Sequence, residues 1–365
     1  MKPISILHIC DQSEGGIAIV VLTTAQALVA AGHRVRFLGR CREDPGLQAR
    51  AGANGVEMVP WNGFKDLHGM LVLAEEVRHW GGDLVVSHHR GCDVIVGFLC
   101  MLLGRRHAIH NHEIINATLS VSSVMRLTNP LWRFIGRRAV MAFNISLPTH
   151  RSALAFFTPS QPERWRIIDN PLSTIPATKP TGGATIPTVI ALGRVAGEKR
   201  PELFIAIIEQ LAAHLPVRGR WYGEGTLRPA MQQLAMAACA RQPRLDLQFP
   251  GRTAQVAELL AQAQVFVHLR ADEGFGLVFT EAMAAGLPVV AARGGNSGEL
   301  VEDGVTGLLF APDDIAGCLE ALLRLLGDEQ LRLDFGAAGL ARVGRFHPLT
   351  VAKDYAHQVR EVLDG

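Results

Sequence analysis

Short apolar runs alternate with longer stretches of helical periodicity along most of the chain. The first such group is the strand ISILHI, the loop CDQSEGG, the helix IAIVVLTTAQALVAAG and the strand HRVRFLGR. The same order recurs from DLVVSHH to HAIHNH, and again from TVIALG to QVFVHL. Apolar strands separated by helices form parallel sheets that carry helices on both faces. The pattern therefore predicts an α/β protein with two doubly wound, Rossmann-like domains.

One segment follows neither period. The stretch PLSTIPATKPTGGATIP holds four prolines and separates the two groups of strands and helices. Such a composition is typical of a linker. We therefore predict an N-terminal domain over residues 1–172, a linker over 173–187 and a C-terminal domain over 188–347. Sheets of this kind bind ligands at the carboxyl ends of their strands, so two facing domains would enclose a central cleft.

Composition narrows the class of protein. Of 365 residues, 48% are hydrophobic and 19% are charged, which is typical of a well-buried globular chain. Residues 1–170 hold 18 Lys+Arg against 13 Asp+Glu. This excess is too small to indicate nucleic-acid binding, although a basic N-terminal domain is compatible with peripheral contact to a membrane.

Cysteine usage and hydropathy indicate the compartment. The six cysteines form no CxxC pair, which favours reduced thiols over a disulfide framework or a zinc site. The longest apolar run, VIVGFLCMLLG, is too short to span a bilayer, and the N-terminus reads as a strand rather than a signal peptide. We expect a cytoplasmic protein, at most peripheral on the inner membrane face.

The segment ALGRVAGEKR suggests a diphosphate site. Gly193 ends a predicted strand, and the cations Arg194 and Lys199 follow on the exit loop. One arginine guanidinium can bind two phosphate oxygens at once, whereas a lysine ammonium acts as a point charge. The segment lacks the P-loop pattern GxxxxGK[ST], and two surface charges on a solvated loop are the alternative interpretation.

The segment DEGFGLVFTEA places two carboxylates around a glycine turn. Gly274 and Gly276 let a ligand approach the backbone, and the following helix directs its unpaired N–H groups to the same place. Phosphate suits such a helix N-terminus, whereas Glu273 and Glu281 would repel phosphate and accept from neutral hydroxyls. A nucleotide sugar offers both kinds of group. A hydrolase pair of carboxylates or a capped surface helix are the alternatives.

Several weaker motifs lie at other predicted strand exits. Gly223 in YGEGTL and Arg252 in FPGRT could wall a base pocket, and Gly15 and Gly16 in SEGGI open the first helix. The segment ARGGNSGELV is interpreted as a glycine-rich turn without a binding role. The segment MRLTNPLWRFIGRRAV is interpreted as a solvated helix or as a basic patch that contacts a membrane.

Histidines are dense in the first half, and His88, His110 and His112 end predicted strands. Their spacing resembles that of metal ligands, but no carboxylate cluster or cysteine completes a zinc set. We therefore predict no metal, and expect one imidazole to hydrogen-bond or exchange protons in the cleft.

Taken together, these motifs resemble the retaining glycosyltransferases of family 4, which have the two-domain GT-B fold. GRVAGEKRPELFIAIIEQL resembles the family's G-R-x-x-x-x-K segment, and YGEGTLRPAMQQLA resembles its G-x-G-x-L segment. EGFGLVFTEAMAAGLPVVA matches the E-x7-E motif nearly letter for letter. In the N-terminal half the match is looser, at SEGGI, AAGHRV, DLVVSHH and RWRIIDNPL.

The resemblance implies a role for each matched residue. Arg194 and Lys199 would bind the donor diphosphate, Glu273 the donor sugar and Glu281 the ribose. The active-site histidine would be His112, although the chain has His110 where the family's apolar-apolar-Thr-x-His pattern has threonine. His110 and His88 are the alternatives. The remaining implied donor contacts are Gly15, Gly16, Gly193, Gly223, Arg252, Gly274, Phe275, Gly276 and Leu277.

The resemblance also implies the reaction. The chain would move a hexose from a UDP- or GDP-type sugar to a glycan or lipid-linked acceptor, with retention and without a metal or other cofactor. Bacterial polysaccharide, lipopolysaccharide or glycolipid synthesis is the expected context. The final helix, 348–365, would return to the N-terminal domain. The alternatives are a GT-B sugar-nucleotide epimerase and a noncatalytic nucleotide-sugar-binding protein.

Overall fold

The computed structural model describes residues 2–12, 16–39, 52, 55–64, 66–115, 123–173 and 186–365, with side chains of 123–127 excepted. The chain divides into two compact units. The first is Met1–Ser173 with Arg345–Gly365, and the second is Thr174–Gly344. Most of the predicted linker 173–187 lies outside the described residues.

The first unit contains a seven-stranded parallel sheet in the order β3-β2-β1-β4-β5-β6-β7. Its strands are apolar on both faces because helices cover each side, as the sequence pattern predicts. The strands are β1 (Ser5–Cys10), β2 (Arg34–Gly39), β3 (Glu57–Pro60), β4 (Leu84–His88), β5 (His107–Asn111), β6 (Met141–Asn144) and β7 (Trp165–Ile167). Its described helices are α1 (Gly16–Ala30), α2 (Leu67–His79), α3 (Arg90–Leu102), α4 (Ser123–Arg138), α5 (Leu147–Phe157) and α13 (Pro348–Asp364).

The last helix, α13, belongs to the first unit. Its buried side chains, Tyr355 among them, join the same core cluster as the strand residues Ile6 and Phe143. The rings of Tyr355 and Phe143 stack at 4.3 Å between centroids. The side chain of Arg360 donates to the carbonyl oxygen of Lys2 at 3.2 Å, which ties the end of the chain to its beginning. An amphipathic helix of this kind gains most of its stability from such packing.

The second unit contains a six-stranded parallel sheet in the order β10-β9-β8-β11-β12-β13. Its strands are β8 (Thr188–Leu192), β9 (Val217–Tyr222), β10 (Leu245–Gly251), β11 (Val265–His268), β12 (Val289–Ala292) and β13 (Gly307–Phe310). Its described helices are α6 (Pro201–His214), α7 (Arg228–Arg241), α8 (Val256–Gln262), α9 (Leu277–Ala284), α10 (Ser297–Leu300), α11 (Ile315–Gly327) and α12 (Glu329–Arg342). The predicted class, two parallel Rossmann-like α/β sheets, is confirmed.

Side-chain caps fix where several helices begin. Ser146 and Thr149 form a capping box at the start of α5, and the carboxylates of Asp66, Asp314 and Asp328 accept from backbone N–H groups at the starts of α2, α11 and α12. Each cap satisfies a donor that the first helical turn leaves unpaired. None of the described helices combines the length and the apolar character needed to cross a bilayer. The five described cysteines are free thiols.

Candidate active site

The strand order of the second unit defines a switch point between β8 and β11. From the central strand β8 the chain proceeds outward to β9 and β10, then crosses back to β11 on the other side. Loops that leave two neighbouring strands in opposite directions open a crevice at the carboxyl edge of the sheet. Lys199 follows β8, and Glu273 follows β11. Two of the three predicted catalytic residues of this unit therefore flank the crevice, and the third, Arg194, also follows β8.

Lys199 and Glu273 form an ion pair that is largely withdrawn from solvent. Their side chains are 15% and 14% exposed. His268, at the end of β11, places its Nε2 atom 3.2 Å from Glu273 Oε2. Burial alone would raise the pKa of Glu273, but His268 and the charge of Lys199 outweigh burial and hold this pKa well below its ordinary value. Glu273 is therefore an ionised acceptor at neutral pH and is unsuited to act as an acid.

Arg194 occupies a different environment from Lys199. Its side chain is 73% exposed, and its Nη2 atom lies 2.7 Å from Oε1 of Glu198, four residues further along the chain. A surface pair of this kind contributes little to stability and is readily exchanged. The structure thus brings Lys199, but not Arg194, into contact with Glu273.

Glycine allows the loops after β8 and β9 to pack backbone against backbone. A Cβ atom on Gly223 would lie 1.9 Å from the carbonyl oxygen of Gly193, and one on Gly225 would lie 2.2 Å from that of Val195. Gly223 also has φ 151°, which side chains disfavour. The carbonyl of Gly193 accepts from the indole of Trp221 at 3.0 Å. These contacts hold the strand exit that carries Lys199.

We predict that Gly223→Ala distorts this exit. The added methyl group would overlap the Gly193 carbonyl, and overpacking of this kind lowers the free energy of unfolding by about 1–3 kcal/mol. Chemical denaturation measures the loss. Gly197→Ala is the matched control, since a Cβ atom there meets nothing within 4 Å. Equal stability of the two variants would contradict the close packing at Gly223.

The start of α9 presents backbone to the crevice. Gly276 precedes the helix with φ 84° and provides no side-chain cap, and Leu277 is the first helical residue. Gly274 and Phe275 are buried just before it. Glu281 follows in the second turn and is half-buried. Gly276 therefore adds no side-chain cap to the first N–H groups of α9, which stay the predicted donors to a ligand oxygen.

A second glycine turn, which sequence reasoning treated as loop chemistry, supports the Glu273 loop. A Cβ atom on Gly295 would lie 2.4 Å from the carbonyl oxygen of Glu273. Asn296 donates from its backbone N–H to the same carbonyl at 2.9 Å, and from its side chain to the carbonyl of Phe275 at 3.0 Å. The turn after β12 thus fixes the backbone on both sides of Gly274.

Besides the turn at Gly295 and Asn296, the sequence analysis did not identify His268 as part of the site. It lies at the end of the apolar strand β11 and is 4% exposed. Its ring packs on Phe279 at 4.6 Å between centroids. Burial lowers the pKa of His268, which favours the neutral imidazole. A polar residue at the buried end of an apolar strand was the available signal.

Arg252 follows β10 and is exposed. Its backbone N–H donates to Glu224 Oε1 at 3.2 Å, so the exits of β9 and β10 are joined. Arg228 Nη1 lies 3.5 Å from the same carboxylate. Arg252 therefore lies at the carboxyl edge of the sheet with the other predicted donor contacts of this unit.

In the first unit, four histidines gather at the corresponding edge of the sheet. Here the switch point lies between β1 and β4. His8 Nδ1 lies 2.8 Å from His88 Nε2, and His88 Nδ1 lies 2.9 Å from His112 Nε2. His110 pairs directly with His88 across β4 and β5. Burial lowers the pKa of His8 and of His112 to about 3, so both rings are neutral at pH 7.

Two further predictions concern the first unit. Gly16 begins α1 and is exposed, whereas Gly15 lies outside the described residues. On α4, Arg133 and Arg137 donate to the carbonyls of Phe156 and Phe157 at 2.7 and 2.8 Å. These two arginines therefore link α4 to the end of α5. The side chain of Arg126 lies outside the described residues.

Comparison with known proteins gives the family. The family described as "Glycosyl transferases group 1" matches residues 186–328, and "Glycosyltransferase Family 4" matches residues 14–177. A D-inositol 3-phosphate glycosyltransferase of Nocardia farcinica is 29% identical over 396 residues, covering 96% of this chain and 84% of the relative. Sulfoquinovosyl transferase SQD2 of Arabidopsis thaliana is 33% identical over 157 residues, which cover 42% of this chain and only 29% of that protein.

The fold has solved counterparts. The Anabaena protein HepE, crystallised in complex with UDP, superposes with a TM-score of 0.81 at 20% identity, covering 98% of this chain and 100% of HepE. This likeness concerns the GT-B architecture. The family matches cover both units, and with the shared fold they show that the chain belongs to the family 4 (group 1) glycosyltransferases, as its motifs predict.

Proposed function

We propose that the protein transfers a hexose from a nucleotide-diphosphate sugar to an acceptor hydroxyl, with retention of configuration. The observation that carries this proposal is the largely shielded Lys199–Glu273 pair at the switch point of the second unit, beside the glycine-led start of α9. One crevice thus offers a cation and helix N–H groups for phosphate, and a carboxylate for hydroxyls. Few ligands other than a nucleotide sugar need all three.

The diphosphate would bind Lys199, Arg194 and the backbone from Gly274 to Leu277. Arg194 can reach a ligand because its partner Glu198 holds it only at the surface. Glu281, in the second turn of α9, is proposed to accept from the ribose hydroxyls. HepE, solved with UDP, supports a uridine or related nucleotide. Gly193, Gly223 and Arg252 would border the same ligand at the exits of β8, β9 and β10.

Glu273 would bind the donor sugar. Its carboxylate is ionised, supported by His268 and paired with Lys199 in the structure. A sugar hydroxyl can donate to the oxygen atoms of Glu273 without neutralising them, while the diphosphate takes a share of the lysine charge. The two residues would then hold the reacting bond between them.

The chemical step breaks the bond between C1 and the phosphate oxygen, and the electron pair leaves with the diphosphate. Lys199 and the α9 N-terminus stabilise this growing charge because they are already oriented toward it. The acceptor oxygen bonds to C1 on the face that the diphosphate leaves, and its proton passes to the departing phosphate or to solvent. His112 of the first unit is the proposed active-site imidazole, on the strength of the family resemblance.

The proposed acceptor is a glycan or a lipid-linked glycan, as in bacterial envelope polysaccharide or glycolipid synthesis. The curated relative from Nocardia farcinica is named for inositol phosphate, a polyhydroxylated acceptor, which supports a hydroxyl-rich substrate. Contact of the basic first unit with a membrane surface would bring such a lipid-linked acceptor to the protein.

Thermal shifts with UDP, GDP and their sugars test donor binding, because a ligand that binds only the folded state raises the melting temperature. We expect Glu281→Ala to weaken the preferred donor roughly tenfold, the equivalent of one good hydrogen bond. Glu320→Ala, an exposed glutamate on α11, is the control. Unchanged donor affinity in Glu281→Ala would contradict its proposed role.

Product analysis separates the alternatives. Transfer predicts a glycosylated acceptor and free nucleoside diphosphate in the presence of an acceptor panel. An epimerised nucleotide sugar formed without acceptor would instead identify an epimerase. Donor binding with neither transfer nor slow hydrolysis across the panel would identify a noncatalytic binding protein.

A further inference from the structure

The histidine cluster of the first unit meets the requirements of a transition-metal site. His88, His110 and His112 each offer one ring nitrogen, and these three atoms lie within 4.8 Å of one another. They come from the ends of the neighbouring strands β4 and β5, whose register pairs His88 with His110. We propose that these three imidazoles bind one divalent transition-metal ion of the zinc class, contrary to the metal-free expectation from the sequence. A bound ion would hold His112 as a ligand, so that it would not act as the free imidazole proposed for the transfer reaction.

His110 is a buried imidazole that the described side chains around it leave without a partner. Its side chain is 2% exposed, and neither ring nitrogen has a hydrogen-bond partner among the described residues. A buried imidazole without any partner loses its hydrogen bonds to water and gains none in return. Its ring stacks on that of His112 at 4.4 Å between centroids, so its unpaired atoms belong to the cluster. A metal–nitrogen bond would satisfy one of them.

The distances suit an ion after small ring movements. Two nitrogens bound tetrahedrally to zinc, each at about 2.0–2.1 Å from the metal, lie roughly 3.3 Å apart. His88 Nδ1 and His112 Nε2 are 2.9 Å apart in the structure. Small ring rotations would move His88 Nδ1 and His112 Nε2 apart by a few tenths of an ångström. A ring nitrogen of His110 would then approach the same ion as its third ligand.

His8 is placed to support a bound ion from outside. If His88 binds the metal through Nδ1, its Nε2–H is directed at His8 Nδ1, which lies 2.8 Å away. Metal-binding histidines are typically oriented by such a partner on the second nitrogen. The donor set of three imidazoles suits zinc, copper, nickel or iron, and leaves a fourth tetrahedral position for water or another ligand.

Metal binding is measured directly, so this test does not depend on the proposed transfer reaction. Untagged protein is stripped with a chelator and titrated with Zn²⁺ by calorimetry, and with Co²⁺ by visible absorption. We expect one ion per chain and the absorption bands of tetrahedral Co²⁺ with nitrogen ligands. Failure to bind Zn²⁺ at micromolar concentration would overturn the proposal.

His110→Thr is the informative variant, since threonine occupies this place in the family pattern. We expect it to weaken Zn²⁺ binding by more than the roughly 10- to 100-fold typical of losing an outer supporting partner. His357→Ala removes an exposed histidine 3.4 Å from Glu361, which is a possible surface site, and should leave binding unchanged. Equal affinity in wild type and His110→Thr would refute the site.

Nitrogen NMR of the wild-type protein keeps the test valid if His110→Thr does not fold. Zn²⁺ should shift the ring ¹⁵N resonances of His88, His110 and His112 far more than those of His33 or His357. Shifts confined to surface histidines would overturn the proposal.

Discussion

Lys199→Ala should lower kcat for sugar transfer by about 10²–10³, the loss typical when one preorganised group that stabilises a departing anion is removed. The residue lies at the switch point of the second unit, 15% exposed and paired with Glu273. Its charge acts most strongly when the diphosphate departs, so kcat should fall by a larger factor than KM rises. Initial rates over a range of donor concentrations measure both constants.

A structural effect of this variant has to be separated from the chemical one. Removing Lys199 leaves the carboxylate of Glu273 buried beside His268 without its cation, and breaking a buried pair can cost about 3–5 kcal/mol. In the double variant Lys199→Ala/Glu273→Gln the unpaired charge is gone. We expect it to recover stability, measured by denaturant unfolding, but not activity.

Lys353→Ala provides the matched control for loss of a lysine. Lys353 is exposed on α13, in the other unit, and should leave both kcat and stability unchanged. If folded Lys199→Ala kept a kcat within about twofold of the wild-type value, the proposed role of Lys199 in the reaction would be wrong.

The sequence predicted elements well because their signals are local. Uninterrupted apolar runs predict that β1, β4 and β8 are buried parallel strands, and proline or glycine lies in many of the loops that follow strands. The motif around Glu273 was recognisable for the same reason, since its glycines and the helix that follows are contiguous in the chain. The family and the two-sheet fold followed from these local features.

Relations across the chain could not be predicted in the same way. Lys199 and Glu273 are 74 residues apart, and only the strand order β8–β11 brings them together. His268 and His8 were each concealed within an apolar strand, although both lie near its carboxyl end. Their partners depend on register between neighbouring strands, which a single sequence does not encode in any short motif.

A second large effect is expected from Asp93, a buried carboxyl on α3. Its Oδ1 accepts from Ser87 Oγ at 2.6 Å, and its Oδ2 accepts from Trp132 Nε1 at 2.9 Å. Burial raises its pKa from 3.8 to about 7, against the opposing effect of these two hydrogen bonds; the nearby Asp11 raises it further. No cation contacts the carboxyl among the described residues, although His107 Nε2 lies 2.8 Å from the same Ser87 hydroxyl.

The raised pKa makes stability depend on pH with a definite sign. Between about pH 4 and 7 the folded state holds a proton on Asp93 that the unfolded chain releases, so the free energy of unfolding falls as pH rises. The contribution is complete below about pH 4 and is lost above the folded pKa of about 7. Three pKa units correspond to at most about 4 kcal/mol.

Asp93→Asn should remove this dependence. When Asp93 is protonated, its O–H can donate to Ser87 Oγ, and the Ser87 hydroxyl then turns from Asp93 to donate to His107 Nε2. The asparagine amide can donate to Ser87 Oγ in the same way and accept from Trp132 Nε1. We expect the variant to match wild type near pH 4 and to be more stable at pH 8 by up to about 4 kcal/mol. Denaturant unfolding across this pH range measures the difference.

Asp328→Asn, at an exposed helix start where asparagine caps equally well, controls for removal of a carboxylate in general. The amide differs from the carboxyl chiefly in being unable to ionise. If the difference in free energy of unfolding between Asp93→Asn and wild type stayed constant with pH, the pKa of Asp93 would be the same in the folded and unfolded states, and the prediction would be wrong.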